Sequence, residues 1–519
     1  MATLTSRLPS VTTENILVAS AVFFTIYLTS LAFHRLYLSP ISHFPGPKFA
    51  ALSKWYEFYY EVILRGKYSE HIAELHKVYG PIIRITPTEV HIKDAPFYET
   101  LFAKNAKSAK DPWFSTRFGN ETSVFSTCDA AHHKLRRSCL NPYFSKRATD
   151  QCEPIVQSKI TYASSKVKTD YSPSSNTPFN LARMWDAFSG DVIMEVSFGF
   201  SYNSLASPSF RDSFHDCFLA LSEFGGLACQ FPFLGPIMEA VPDWLVRMTN
   251  PPLDRMLTLI ADLGRQVDVV KSEFAAGKKP QHPTVFHEML RHDLPPEEFA
   301  PRRLRDEAQT VVGAGLTTTA WSITNACYYL IESAALQEKL HRELVKAIPD
   351  INAADAFALR KLEKLPFLKG CVKEGVRMSI GATGRIPRIW KTPLQFKEWV
   401  IPAGTTVSMN HQDILFDEEI FPQPGKMVPE RWAGNPKAPD GNSLEQYFVA
   451  FGKGDRSCLG VNLALMEVTL ALAHLFRKFR LELFETNRED VLLAHDFFLP
   501  SPKSESKGVR VKVVEIYEK

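Results

Sequence analysis

Residues 451–460 read Phe451-Gly452-Lys453-Gly454-Asp455-Arg456-Ser457-Cys458-Leu459-Gly460, and the fold turns on how this stretch is understood. Glycines ahead of the cysteine let the backbone turn tightly and approach a flat ligand. An apolar periodic segment, Gly460–Phe479, follows at once and predicts a helix. Cys458 therefore stands at a helix N-terminus, where the positive end of the dipole favours a thiolate over a thiol. Arg456 can pair with a carboxylate close by. A lone cysteine in a glycine turn is most often an inert buried thiol. What accompanies it in the rest of the chain decides between the two.

Several other segments carry chemistry-bearing patterns. Pro301–Glu332 predicts one long helix whose main breakers are Gly313 and Gly315. A glycine inside a helix costs about 0.5–1 kcal/mol, so each needs a reason. One reason is close packing against a neighbour; the other is a local bulge that opens the helix for a ligand. Around these glycines lies Ala314-Gly315-Leu316-Thr317-Thr318-Thr319. A threonine run in a helix more often packs or hydrogen-bonds the backbone than does chemistry. Glu374 and Arg377 share one face of a second predicted helix, Pro366–Ser379. Alone, such a pair is usually a surface ion pair of small worth. Pro429-Glu430-Arg431-Trp432 lies downstream in a proline-rich stretch, and His132-His133-Lys134-Leu135-Arg136-Arg137 forms a basic run of the kind that usually faces solvent. One hairpin is expected: Phe396–Ile401, a turn at Pro402-Ala403-Gly404, then Thr405–Met409.

The 519 residues are 45% hydrophobic with a net charge of +3. That is ordinary globular composition with length for a sizeable core, and it gives no sign of nucleic-acid binding. The cysteines, Cys128, Cys139, Cys152, Cys217, Cys229, Cys327, Cys371 and Cys458, form no CxxC pair or zinc spacing. They read as the reduced thiols, mostly inert, of a cytosol-facing domain. Ile16–Phe33 is an uncharged, mostly apolar run of 18, extended past His34 and Arg35 by Tyr37 and Leu38, and it meets the length that spans a bilayer. Its aromatic-rich end offers no small-residue cleavage site. An uncleaved transmembrane anchor is therefore expected over residues 16–38, after a tail of residues 1–15. Arg35, Lys48 and Lys54 after the span outnumber Arg7 before it, which puts the bulk of the chain on the cytosolic side. Residues 39–48, SPISHFPGPK, predict a stiff proline-rich elbow. Residues 49–519 show no repeat and no clear internal boundary, and are expected to form the catalytic domain. The sequon Asn120-Glu121-Thr122 goes unused in a cytosolic body.

Together these segments resemble the cytochrome P-450 family. Phe451, Gly454, Arg456, Cys458 and Gly460 match its cysteine-loop motif F-x-x-G-x-R-x-C-x-G. Glu374 and Arg377 resemble its ExxR pair, and Pro429–Trp432 its PERF-type motif with Trp432 in place of Phe. Ala314–Thr319 resembles the oxygen-binding motif A/G-G-x-D/E-T-T/S. His133 and Arg137 fall on the positions of W-x-x-x-R, with His replacing Trp, and Arg388 in GRIPRIW matches a further propionate-binding position. The likeness runs from the elbow to Gly508–Val513. Its texture is similar to fungal membrane-bound members of specialised metabolism, trichodiene-oxygenase-like proteins among them.

The resemblance implies a mainly α fold with a small β part, preceded by one transmembrane helix. It implies haem b, with the iron held by the axial thiolate of Cys458. His133, Arg137, Arg388 and Arg456, with Phe451 and Gly452, would hold the haem, and a buried Glu374–Arg377–Arg431 triad would lie behind the cysteine loop. His133 and Arg137 then face inward and Lys134 and Arg136 outward, where with Lys453 they form a basic patch for an acidic flavin domain. Thr318 takes the place of the threonine that hydrogen-bonds dioxygen. Thr317 takes the place usually held by an acid, which puts the proton relay in question. A distal cavity would be lined from the 112–126 loop, the 214–233 region, the helix near Ala314, the Gly381–Ile386 stretch and the Phe497-Phe498 tip. The implied activity is that of a monooxygenase. It draws electrons from an NADPH-cytochrome P-450 reductase and inserts one atom of dioxygen into a lipophilic small molecule, such as a terpenoid or polyketide. The place implied is the endoplasmic reticulum membrane, with the catalytic domain facing the cytosol. A reductant-independent haem-thiolate isomerase or dehydratase is one alternative; a non-catalytic haem sensor is another.

Overall fold

The computed structural model of the chain describes residues 12–104, 108–211, 214–235, 237, 241–242, 244–245, 248 and 251–518. Residues 1–11 of the expected tail lie outside them. In chain order the helices that build the body and its anchor are α1 (Thr13–Phe33), α2 (Ala130–Ser138), α3 (Glu153–Asp170), α4 (Leu181–Phe198), α5 (His215–Gln230), α6 (Pro251–Ala275), α7 (Pro301–Glu332), α8 (Ala334–Ala347), α9 (Pro366–Ser379) and α10 (Val461–Lys478). The strands that matter for the site are β1 (Ile82–Arg84), β2 (Glu89–Ile92), β3 (Ser108–Lys110), β4 (Arg388–Trp390), β5 (Leu394–Phe396), β6 (Trp399–Ile401), β7 (Thr406–Ser408), β8 (His495–Phe497) and β9 (Leu499–Ser501). The architecture is mainly α with small sheets.

Helix α7 is the axis of the body. It is buried on most sides and packs against α4, α6, α9 and α10. Its glycines mark where neighbours come closest. A Cβ on Gly313 would stand 2.6 Å from the Phe218 ring of α5, and one on Gly315 would stand 2.5 Å from Ile193 of α4. Close packing is therefore the reason for both, and the helix runs as regular α from end to end, without a bulge.

The larger sheet has the order β1-β2-β7-β4-β3. Here the expected hairpin is corrected. Strand β6 turns back at Lys397-Glu398 to pair with β5, with Phe396 opposite Trp399. Residues 402–404 do form a turn, but it delivers β7 into the large sheet, parallel to β2 and antiparallel to β4. The burial pattern explains the difference: Leu394, Phe396 and Ile401 are buried, whereas Lys397 and Glu398 are exposed. The polar pair takes the tip of the hairpin, and Thr406–Ser408, buried throughout, goes to the sheet interior.

The apolar span runs over Thr13–Leu38; its most apolar 18 residues have a mean hydropathy of 2.1 and none of them is buried. It ends in a π turn, His34–Leu38, and the elbow beyond is fastened to the body. The Arg84 amide of β1 donates to Pro45 O at 2.7 Å, and the Phe44 ring lies 5.2 Å from Trp399.

A single carboxylate fixes the segment between α9 and the cysteine loop. Glu343 of α8 accepts the Phe367 and Leu368 amides at 2.9 and 2.8 Å, capping α9 where its own amides have no partner. One turn and more along, Glu374 is fully buried. It accepts from Arg377 Nε (3.0 Å) and Nη2 (2.8 Å), Arg431 Nε (3.1 Å), Trp432 Nε1 (2.8 Å) and the Val428 amide (3.3 Å). Arg377 also donates to the carbonyls of Leu415 and Pro424, each at 2.7 Å. Trp432 thus adds a donor that phenylalanine cannot supply. Trp432→Phe should lower holoprotein stability by about 1.5 kcal/mol, the worth of one bond to a charged group. Glu374→Gln should cost about 3–5 kcal/mol by stranding buried arginines. Urea unfolding midpoints measure both, and an unshifted midpoint in Trp432→Phe would remove the indole from the cluster.

Candidate functional site

The cysteine loop closes on itself. The Cys458 amide donates to Phe451 O at 2.7 Å, and Gly460 caps α10. Gly454 has φ +72°, and a Cβ there would stand 2.0 Å from Phe102 O, so no other residue fits. Gly452, at φ +66°, makes the preceding turn. The Cys458 side chain is exposed on one side. The protein around it nevertheless desolvates the sulfur and pushes the thiol up, against the opposing pull of the Gly460 amide and Arg137. A bound metal cation would make the thiolate stable, because it displaces the proton.

Around this loop the fold gathers positive charge. Arg137 of α2 donates through Nη1 to Ser457 O at 2.8 Å. Arg456 donates to the carbonyls of Thr127 (2.7 Å) and Cys128 (2.8 Å). Arg388 on β4 is buried and faces Lys110 on β3 in register. Lys110 is buried too; its ammonium donates to Phe125 O and lies 3.5 Å from the Phe125 ring centroid. His133, one helical turn before Arg137, is buried among the four. Among the described residues, none of these side chains forms a salt bridge. Burial first, and then repulsion from neighbouring cations, pushes Arg388 down to about 10, His133 down to about 3, and Lys110 well below its ordinary value, while burial pushes Arg456 down to about 10 against the opposing pull of Cys128 and Asp129. A pocket of this kind suits a ligand that brings its own negative charges.

On α7 the two threonines are placed differently. Thr317 is buried and its hydroxyl donates to Gly313 O at 2.8 Å; Thr318 is half-buried and donates to Ala314 O at 2.8 Å. The segments expected to line a distal cavity meet one another. The Phe498 ring lies 5.4, 5.6 and 5.7 Å from Phe114, Phe118 and Phe125. Thr383 donates from its amide to Phe498 O (2.9 Å) and from its hydroxyl to Asp496 (2.7 Å). Ser222 of α5 donates to Phe497 O at 2.6 Å. Asn120 of the sequon is buried, bonded to Thr310 at 2.8 Å and Ser126 at 2.9 Å, so the folded chain offers no acceptor amide there.

The Cytochrome P450 family profile matches residues 47–507. The chain belongs to the cytochrome P450 family. It is 43% identical to the "Cytochrome P450 monooxygenase sdnE" of Sordaria araneosa, over 96% of this chain and 98% of that protein. It is 37% identical to the "Tryptophan 6-hydroxylase fscE" of Fusarium equiseti, over 94% and 95% of the two chains. It is also 37% identical to the "N-acetyltryptophan 6-hydroxylase ivoC" of Emericella nidulans, over 96% of each. The protein is a cytochrome P450 monooxygenase, an oxidoreductase whose cofactor is haem b with an axial cysteine thiolate.

The residues present fit that group. An accessible cysteine sulfur stands beside a pocket of uncompensated cations, and haem b carries two propionates. Sequence reading missed Lys110, whose three-residue strand gives no periodic signal; only its register with Arg388 reveals it. It also misplaced Arg136. This side chain is not outward but buried, with Nε 2.9 Å from Glu298 Oε2 and Nη1 2.8 Å from Thr127 Oγ1. Positions 133, 136 and 137 share one helix face, and Glu298 supplies the buried counter-charge that lets Arg136 join it. Lys134 remains exposed, and Lys453 pairs with Glu99. Cys458→His should abolish the red-shifted Soret band of the reduced, carbon monoxide-bound protein. Lys110→Met and Arg388→Met should each speed haem loss to apomyoglobin about tenfold, for a charge-assisted bond worth roughly 1.5–3 kcal/mol. Wild-type haem retention in both methionine variants would remove the pocket from cofactor binding.

Proposed function

We propose that this P450 oxidises a lipophilic specialised metabolite, of terpenoid or polyketide type, using electrons passed one at a time from an NADPH-cytochrome P450 reductase. We place it as a single-pass protein of the endoplasmic reticulum, with residues 16–38 as anchor, residues 39–48 as elbow and residues 49–519 as a catalytic domain facing the cytosol. The apolar span Thr13–Leu38 supports the anchor. The exposed Lys134 lies on α2, the helix that also carries His133 and Arg137, and supports a docking face for an acidic flavin domain.

Cys458 is the axial ligand in this reading, and Lys110, His133, Arg137, Arg388 and Arg456 hold the propionates, with Phe451 and Gly452 shaping the loop. Haem b, when bound, supplies the reduction and splitting of dioxygen. The chain's own part is to position substrate, exclude water and manage protons. Phe114, Phe118, Phe125 and Phe498 form an apolar wall that suits a lipophilic substrate. The observation that carries the monooxygenase mechanism is the Thr318 hydroxyl. Its hydrogen is committed to Ala314 O, so the lone pairs of Oγ1 are left to accept from a water molecule. That water is the proton donor toward the substrate side of the site. Thr317 cannot ionise and is turned into the helix, bonded to Gly313 O. The nearby acids of α7 are engaged elsewhere: Asp306 accepts from Thr122, and Glu307 accepts from Val124 N at 3.0 Å and pairs with Arg303.

The missing acid also favours a second reading, a haem-thiolate isomerase or dehydratase that needs no external electrons. One experiment separates them. Product formed per NADPH consumed, with hydrogen peroxide quantified, should fall about tenfold in Thr318→Ala while haem content and substrate affinity persist, less than the roughly 10²–10⁴-fold of a positioned acid or base because water still supplies protons. Thr317→Val should change coupling by less than about twofold, since its hydroxyl holds only a backbone carbonyl. Undiminished coupling in Thr318→Ala would overturn the mechanism, and product formed without NADPH or dioxygen would establish the second reading.

A further inference from the structure

The end of the apolar span does not stand clear of the body. Leu36 and Tyr37, with Lys48, Ala51, Tyr79 and Arg84, line a pocket of about 280 Å³ at the junction of span, elbow and β1. Arg84 is only 2% exposed. Its guanidinium donates to three main-chain carbonyls: Nε to Thr86 (3.3 Å), Nη1 to Arg35 (2.7 Å) and Nη2 to Pro87 (2.8 Å). These bonds engage three of its five N–H groups and bring no negative charge. Burial, and then the neighbouring Arg35, push the Arg84 guanidinium down. Arg35 itself donates to Leu52 O, and Lys48 is exposed at the pocket. Among the described residues, none of the three forms a salt bridge. Several buried arginines elsewhere in this chain meet carboxylates: Arg377 meets Glu374, Arg385 meets Glu57 and Glu89, and Arg117 meets Glu61. The junction lacks such a partner.

The depth of the pocket follows from the length of the span. Twenty-six helical residues reach about 39 Å, and the hydrocarbon core of a bilayer is about 30 Å thick. The last turns therefore emerge into the headgroup layer, where tyrosines such as Tyr37 are favoured. We propose that this pocket binds the phosphate headgroup of an anionic membrane phospholipid. Arg84 and Lys48 face the phosphate from the pocket wall, with the Arg35 charge close to Arg84, the Tyr37 and Tyr79 rings flank it, and Leu36 and Ala51 meet the first carbons of the lipid. Because Arg84 ties the span's last turns to β1 through Arg35 O, a lipid held there would fix how the catalytic body leans on the membrane. The proposal rests on the reading of Thr13–Leu38 as an anchor.

The test uses the full-length holoenzyme in nanodiscs of phosphatidylcholine with a minor share of phosphatidylinositol, with native mass spectrometry counting the lipids retained on release. Phosphatidylinositol should be retained at least about fivefold above its share of the bilayer, the factor that about 1 kcal/mol, the worth of a single basic residue, corresponds to. Lys48→Glu, an exposed change that leaves the carbon monoxide band intact, should return retention to the bulk share, and Arg84→Gln should do the same. Millimolar inorganic phosphate should not displace the lipid. Retention in bulk proportion by the wild type, or unchanged selectivity in both variants, would overturn the site. Displacement by inorganic phosphate would overturn the lipid assignment in favour of a free anion. Vesicle flotation reports on the anchor separately: a wild type that fails to float overturns both readings, whereas one that floats without selectivity overturns the site alone.

Discussion

The site is organised by an imbalance of charge. Arg137, Arg388, Arg456 and Lys110 converge on the cysteine loop, with no salt bridge to any of them among the described residues. Several other buried cations of the chain are treated differently. Arg136 and Arg303 share Glu298, Arg385 lies between Glu57 and Glu89, and Arg377 and Arg431 share Glu374. A fold that places carboxylates beside these arginines, and does not do so beside the cysteine loop, suits a ligand there that carries the missing charge. On the proposed reading the propionates offset the cost of desolvating the cations, and cofactor binding and the order of the β3, β4 and α2 segments are thermodynamically linked.

The same economy of polar groups organises the other side of α7. Its first turns staple the 118–127 loop: Asp306 accepts the Thr122 amide and hydroxyl, Glu307 the Val124 amide, and Gln309 donates to Phe118 O at 2.8 Å. That loop carries Phe118 and Phe125, which meet Phe498. The aromatic wall and the helix that carries Thr318 are therefore parts of one hydrogen-bonded body. On the proposed reading, a substrate that shifts the loop also strains α7 ahead of Thr318, which gives substrate binding a physical route to that hydroxyl.

How much of this was legible depended on whether the signal was local. The helices Pro301–Glu332 and Pro366–Ser379 stand at the residues the sequence predicts, and Gly460–Phe479 is observed as Val461–Lys478, because periodicity and flanking prolines are local. The mainly α fold with its small sheets was readable for the same reason. The hairpin was not. Pro402-Ala403-Gly404 does mark a turn, but turn chemistry cannot say which strand pairs with which, and β7 found its partners in β2 and β4. Arg136 was misplaced because its counter-ion, Glu298, is distant in sequence. Lys110 was invisible because three residues of strand carry no period, and its meaning comes from standing opposite Arg388.

Three departures from the family pattern can be judged by the charge each one brings. Trp432 replaces a phenylalanine and stays neutral, yet it gives Glu374 an additional donor at 2.8 Å. Thr317 replaces an acid and removes a negative charge from the helix, and its hydroxyl is absorbed by Gly313 O. His133 replaces a tryptophan in the most positive part of the protein, where another cation would be costly. Burial and its cationic neighbours hold the imidazole down to about 3, so at physiological pH it is neutral. A neutral imidazole offers one N–H donor on a flat ring, as an indole does. The exchange of Trp for His therefore keeps the donor and adds no charge, provided that the surrounding arginines and Lys110 remain to keep the ring unprotonated.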